Sequence, residues 1–161
     1  MSVVDKLKEL AYKIPGYKGF AERAERREVD AIQREYMAKR LTQIKSNLQA
    51  VQEECLAEGN LAIMEPCDRV GNIIDKLVER IRHASRGYAG FFDTVQVNED
   101  DLARIYEFDL DLVNNIDSVN EGIQGLQATD NINGALRAVR SSLEELNGKL
   151  DERERILKGV E

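Results

Sequence analysis

The chain has 161 residues, the usual size of one domain, and can bury a core without disulfides or metal ions. Aromatic residues make up 6% of it, tryptophan is absent and charged residues reach 33%, a mixture that favours long helices over sheets. The net charge of -7 argues against general nucleic-acid binding, which needs a surplus of lysine and arginine.

The sequence predicts a cytoplasmic protein. No apolar run approaches the roughly 20 residues that span a bilayer, and the opening MSVVDKLKEL lacks the apolar core of a signal peptide. The charge is uneven along the chain: residues 1–45 contain 11 basic against 7 acidic side chains, whereas residues 98–161 contain 7 against 15. The two ends are therefore expected to attract each other.

Residues 1–15 are predicted to form a short amphipathic helix, followed by a single helical-bundle domain over residues 16–161. The apolar positions of this helix share one stripe and form a candidate interaction surface: Val3, Val4, Leu7, Leu10 and Ile14. The stripe could dock on the chain itself, in a partner's groove or on an anionic membrane surface. Docking on the chain itself is favoured, because one short and weakly cationic helix is a marginal membrane anchor.

A five-residue motif occurs twice, as GYKGF at residues 16–20 and as GYAGF at residues 87–91. Each copy is predicted to form a corner before a helical hairpin, with glycine allowing the turn and the aromatic rings closing the end of a bundle. Duplication and convergent corner chemistry explain the repetition equally well. The corner residues are Gly16, Tyr17, Gly19, Phe20, Gly87, Tyr88, Gly90, Phe91 and Phe92.

The next segment is predicted to be one helix from about Gly19 to Glu58, about 60 Å long at 1.5 Å per residue. Its second half has apolar residues at alternating steps of four and three, as in a coiled-coil seam. Pro66 fits the first turn of the following helix, which is predicted to end at Gly87.

After that helix, FFDTVQV is predicted to be an extended crossing segment or a short strand. Asn98 is expected to cap a helix with Asp101 three residues on. Residues 102–126 are predicted to be helical, although IYEFDLDLV alternates apolar and acidic residues and read alone could be a strand. A last helix is expected to open at Thr129 or Asp130, and only Arg153 interrupts its apolar stripe.

These elements predict an all-α fold, an elongated antiparallel four-helix bundle of two helical hairpins with a short N-terminal amphipathic helix. Short connections predict antiparallel neighbours.

Acidic residues concentrate in the third long helix and suggest a carboxylate-bridged metal site as one alternative: Glu99, Asp100, Asp101, Glu107, Asp109, Asp111 and Asp117. Bundles of that class use two Glu-x-x-His motifs, but this chain has a single histidine, His83, which is expected to be partly buried. A solvated acidic face is the favoured interpretation. No catalytic or nucleotide-binding motif is present in the sequence, so no enzyme activity, metal or cofactor is predicted.

The two cysteines, Cys55 and Cys67, are predicted to lie near each other in an antiparallel hairpin as buried reduced thiols, with a bridge conceivable only in an oxidising setting. Arg80, Arg82 and Arg86 form a basic set that is a candidate contact for an anion or a partner. It could instead dock on the acidic start of the third long helix.

The predicted function is a non-enzymatic interaction, scaffold or assembly role with protein partners, and the long apolar seams predict a homo-oligomer. The alternatives are a peripheral membrane protein that uses the N-terminal helix and a carboxylate-rich metal-binding bundle.

Overall fold

The computed structural model describes residues 1–84, 89–93 and 97–158, and all regular elements in these ranges are helical. The all-α prediction is confirmed for this part of the chain. The helices are α1 (Val3–Lys13), α2 (Arg26–Ala57), α3 (Met64–Arg82), α4 (Ala89–Asp93), α5 (Glu99–Gln124) and α6 (Ile132–Leu157). Short 3₁₀ turns lie at Arg23–Glu25, Leu61–Ile63 and Gly125–Ala128.

Side-chain caps fix the start of three helices. Ser2 and Asp5 form a reciprocal capping box at the start of α1. The Asn98 side chain accepts a hydrogen bond from the Asp101 backbone N–H, as predicted for α5. The last helix was expected to open at Thr129 or Asp130, but Asn131 caps it by accepting from the Gly134 N–H.

Helix α2 begins later than the sequence predicts. It starts at Arg26 rather than near Gly19, so its 32 residues span about 48 Å instead of 60 Å. Gly16 and Gly19 both adopt positive φ, at 87° and 85°, and hold the chain out of the helical conformation between α1 and α2. Oppositely charged residues four apart, such as Glu22 and Arg26, also suit a helix, so local spacing does not reveal that loop.

Two segments with strand-like sequences are wholly or partly helical in the structure. All of IYEFDLDLV lies within α5, so period-two alternation did not indicate a strand here. The prediction of an extended FFDTVQV segment is wrong for Phe91–Asp93, which belong to α4. Residues 94–96 of that segment lie outside the described residues.

The long helices pack as two antiparallel pairs, α2 with α3 and α5 with α6. Lys45 pairs with Asp75 and Gln52 with Asp68, an antiparallel register along α2 and α3. Between the pairs, α2 contacts α5 and α3 contacts α6. These neighbours run parallel: Gln33 contacts Asp109, and seven residues further on Arg40 contacts Asp117. The expectation of antiparallel neighbours therefore holds only within each pair.

The apolar interior consists of two clusters with a polar layer between them. The larger cluster fills the space among α2, α3, α5 and α6 and extends from Met37 to the α2–α3 turn. The smaller one combines α1, the following loop, α4 and the adjoining ends of α2, α5 and α6. Asp30, Asp109 and Arg153 lie at the level where the two clusters meet. This polar layer interrupts the otherwise apolar core.

Helix α1 packs along α5. Leu10 and Ile14 are completely buried there, and Val3 and Leu7 are partly buried against the smaller cluster. Lys6 pairs with Glu107 and Lys13 with Asp117, so the basic N-terminal region contacts the acidic helix α5.

Candidate functional site: a buried ionic cluster and an open seam

Three charged side chains form an ionic cluster inside the fold. The Arg153 guanidinium contacts Asp109 through Nε at 2.7 Å and Asp30 through one terminal nitrogen at 2.9 Å. Both aspartates have 0% exposed surface and Arg153 has 2%. Burial of charges is costly unless they are paired and hydrogen-bonded. Here Arg153 pairs with both carboxylates, and its Nε donates a hydrogen bond to Asp109.

Neutral and charged neighbours complete the cluster. The Tyr17 hydroxyl donates to Asp109 Oδ2 at 2.6 Å, and the Gln33 amide donates to Asp109 Oδ1 at 2.9 Å. Arg34 donates from Nε to Asp30 Oδ2 at 2.7 Å. The cluster therefore joins the loop before α2 to α2, α5 and α6 in a single hydrogen-bonded network.

The electrostatics of the cluster follow from burial. Burial raises the pKa of Asp109, and the Arg153 guanidinium and the Tyr17 hydroxyl oppose that shift. Burial and the nearby Asp109 charge raise the pKa of Tyr17 well above its ordinary value. The network therefore favours a neutral Tyr17 that donates its proton to a hydrogen bond.

The first repeated corner is tied to α5 beside this cluster. The Phe20 backbone N–H donates to the Tyr106 hydroxyl at 2.8 Å, and Arg26 Nε donates to the Phe20 carbonyl at 2.8 Å. The rings of Tyr17 and Phe20 meet edge to face, with centroids 5.9 Å apart. A Cβ at Gly19 would overlap the Tyr106 hydroxyl, so this position requires glycine.

The second corner differs in its described part. Gly90, Phe91 and Phe92 lie in the short helix α4, and Phe92 is buried in the smaller cluster. The centroid of the Phe91 ring lies 5.6 Å from that of the Phe20 ring, so the two copies of the motif contact each other. Gly87 and Tyr88 lie outside the described residues.

The predicted interaction stripe of α1 has an inward and an outward part. Leu10 and Ile14 are enclosed against α5, and Val3 and Leu7 are partly covered. Val4, by contrast, is 58% exposed. In this arrangement the stripe docks largely on its own chain.

The basic set is used within the fold where it is described. Arg80 pairs with Asp151 and Glu154 of α6, and Arg82 lies 3.8 Å from Glu35 of α2. These contacts replace the expected docking on the start of α5. Arg86 lies outside the described residues.

Sequence reasoning misplaced two other polar residues. Asp109 was assigned to a solvated acidic face but is completely buried. His83 was expected to be partly buried, yet its side chain is mostly exposed, 3.2 Å from Glu79. The one sequence signal for the ionic cluster was Arg153, because it interrupts the apolar stripe of the last helix. Its partners could not be read from local spacing.

The cysteines are buried reduced thiols on α2 and α3. Burial raises the pKa of Cys67 to about 11 and also raises that of Cys55. Within residues 1–84, 89–93 and 97–158, no group of three or more His, Cys, Asp or Glu side chains is arranged to hold a metal ion.

An open seam runs along α3 and α6. A cavity of about 310 Å³ lies at the end near the helix starts, and another of about 360 Å³ lies further along. The first has Arg69, Arg137 and Arg140 among its lining residues. No local sequence pattern marks these three arginines, because they come together only through the packing of α3 on α6.

Comparisons with known proteins add no family. No family model matches the sequence, and neither a curated protein nor a solved structure shows significant similarity to it. None of the described helices has both the length and the apolar character needed to cross a membrane.

Proposed function

We propose that this chain is a non-enzymatic helical protein-interaction, scaffold or assembly protein. In this proposal, α2, α3, α5 and α6 form an elongated four-helix bundle of two hairpins, with α1 along one flank. The observation that carries the proposal is the concave seam between α3 and α6, which contains the two cavities of about 310 Å³ and 360 Å³. Grooves between helices are common docking surfaces for a partner segment.

The composition of the seam supports this role. Its second cavity combines the apolar side chains of Ile73, Leu77 and Leu143 with the polar side chains of Lys76 and Glu144. An apolar floor with polar edges is the usual composition of a protein interface. Partner binding there would cover Ile73, which is only partly buried in the chain alone.

Self-association is part of the proposal, because a second copy can cover the open seam beside the partly buried Ile73. The apolar stripes of the long helices are themselves buried within the chain. Light scattering at tens of micromolar is expected to give a mass above that of the 18.2 kDa monomer. A monomer mass at this concentration would exclude self-association, and the proposal would then be limited to binding of other proteins.

The central test is affinity capture from lysate with three baits. Ile73→Glu places a carboxylate in the second cavity, and Leu56→Glu makes the same type of change at an exposed position on α2. Proteins retained by the wild type and by Leu56→Glu but lost from Ile73→Glu would support the seam. Retention of nothing by the wild type, together with a monomer mass, would refute the proposed function. Circular dichroism would check that both variants remain folded.

A peripheral membrane role is the second candidate, and one feature of α1 favours it. Val4 is 58% exposed and Tyr12 is 90% exposed on the helix, with the Lys8 side chain also exposed. Apolar, aromatic and basic groups together suit the headgroup region of an anionic bilayer. Co-sedimentation with anionic vesicles that is lost in Val4→Glu/Tyr12→Glu would support this role. Equal pelleting of both proteins, or of neither, would exclude it.

A further inference from the structure

One end of the α3–α6 seam is locally basic. Arg69 of α3 and Arg137 and Arg140 of α6 all line the 310 Å³ cavity, together with one carboxylate, Glu65. The cavity thus has an excess of two positive charges in a chain whose net charge is -7. A local reversal of the overall charge marks a place where an anionic group is attracted.

The internal partners leave part of this charge available. Arg69 pairs with Glu65 at 2.9 Å, and Arg140 lies 4.0 Å from Glu144. Arg137 is exposed and has no carboxylate within 4.0 Å in the described part of the chain. Guanidinium groups bind carboxylates through two parallel N–H donors, so Arg137 and Arg140 can still accept anionic partners.

The floor of the cavity is apolar. Pro66, Val70 and Leu136 line it between the arginines. Val70 and Leu136 belong to the main core, which gives the floor a fixed position. A volume of about 310 Å³ lies at the lower end of the range for ligand pockets. The site therefore fits a short segment that presents both an apolar side chain and carboxylates.

We propose that this groove binds an acidic peptide segment that carries at least two carboxylates beside an apolar side chain. The inference rests on the proposed interaction function and specifies one partner surface for it. The arginines contact the carboxylates, and the apolar side chain lies on Val70 and Leu136.

The surroundings favour a peptide over a larger polyanion. The last turn of α2 at the same end has Glu53 and Glu54, and Glu58 follows it; Gln127 of the α5–α6 turn contacts Glu54. These acidic residues repel an anionic bilayer or a nucleic acid that would extend beyond the groove. A short segment confined to the groove avoids most of that repulsion.

The test uses fluorescence anisotropy with the full chain and a labelled twelve-residue peptide of glutamate, aspartate and leucine. A matched peptide with glutamine and asparagine in place of the acids measures the contribution of charge. Arg137→Glu/Arg140→Glu changes the groove. Arg155→Glu/Lys158→Glu makes the same change in net charge near the other end of α6, where both residues are exposed.

The wild type and the Arg155→Glu/Lys158→Glu variant are expected to bind the acidic peptide with similar affinity. The groove variant should bind at least about tenfold more weakly, since it loses two guanidinium contacts and adds repulsion. Equal weakening in both variants, or no binding by the wild type, would overturn the groove assignment. Circular dichroism confirms folding of each variant.

The result is separable from the proposed function. If partners captured from lysate are retained by wild type and groove variant alike, the interaction function stands and this groove is not the site. If the acidic peptide binds at the groove while no protein is captured and the chain is monomeric, the site stands and the interaction function fails.

Discussion

Replacement of Arg153 by methionine is the sharpest test of the buried ionic cluster. The substitution replaces the apolar stem of the side chain with one of similar length but removes the guanidinium that contacts Asp30 and Asp109. Both carboxylates are completely buried, so neither can regain solvation without a structural change. Asp30 keeps Arg34, whereas Asp109 keeps only neutral donors among its described contacts.

The expected cost can be placed on a scale. Removal of one partner from a buried ion pair typically costs about 3–5 kcal/mol, because it leaves an uncompensated buried charge. Domains have a free energy of unfolding of about 5–15 kcal/mol, so Arg153→Met should remove a large share of it. The matched control is Arg155→Met on the exposed side of the same helix, which should change stability by less than about 0.5 kcal/mol.

Urea unfolding followed by circular dichroism at pH 7 measures both variants. Asp109→Asn combined with Arg153→Met removes both charges of this pair and keeps an acceptor for Tyr17. The double variant should therefore lose less stability than the two single variants lose in sum.

Loss of Arg153 also removes a group that lowers the pKa of Asp109. With that folded-state pKa raised further, the destabilisation should shrink as the pH falls through it, because the buried carboxyl then becomes protonated. A cost under about 1 kcal/mol, or strictly additive losses, would refute this reasoning.

Three further predictions concern glycine, tyrosine and cysteine. Gly19→Ala should destabilise the chain by about 1–3 kcal/mol through its positive φ, while Gly148→Ala on open helix surface should stabilise it by up to about 1 kcal/mol, both measured by urea unfolding. Because the folded state raises the pKa of Tyr17, the contribution of this residue to the free energy of unfolding is present below pH 10 and lost as pH rises further. Tyr17→Phe should therefore lose less stability than the wild type as pH rises above 10, and the same dependence of stability on pH in both proteins would contradict this. Cys55 and Cys67 should react with a disulfide reagent at pH 8 only after urea unfolding, and rapid labelling of the native chain would argue against their burial.

Local periodicity predicted much of the helical framework. The stripe from Met37 to Cys55 and the stripe of the last helix both follow steps of three and four, and the structure places them in α2 and α6. Such patterns can be read from sequence because residues three and four apart share one face of a helix. Asn98 was likewise identified because a capping side chain acts only three residues away.

The remaining features depend on contacts between distant segments. The loop that precedes α2 is held to α5 by the hydrogen bond from Phe20 to Tyr106, which are 86 residues apart. Arg153 was visible as an interruption in a stripe, but its partner Asp109 is 44 residues away and lies in a segment that resembled a solvated acidic face. The parallel contact of α3 with α6, which assembles the arginine groove, is also a matter of tertiary packing.

The attachment of α1 to α5 has a consequence for synthesis of the chain. Leu10 and Ile14 leave the ribosome early, but Tyr106 and Asp109, which hold the adjoining loop, are made more than 85 residues later. At about 5–20 residues per second, this delay lasts roughly 5–20 s. During that interval the apolar side chains of the nascent N-terminal segment lack their final covering, so chaperone capture of translating chains should be strongest before α5 emerges.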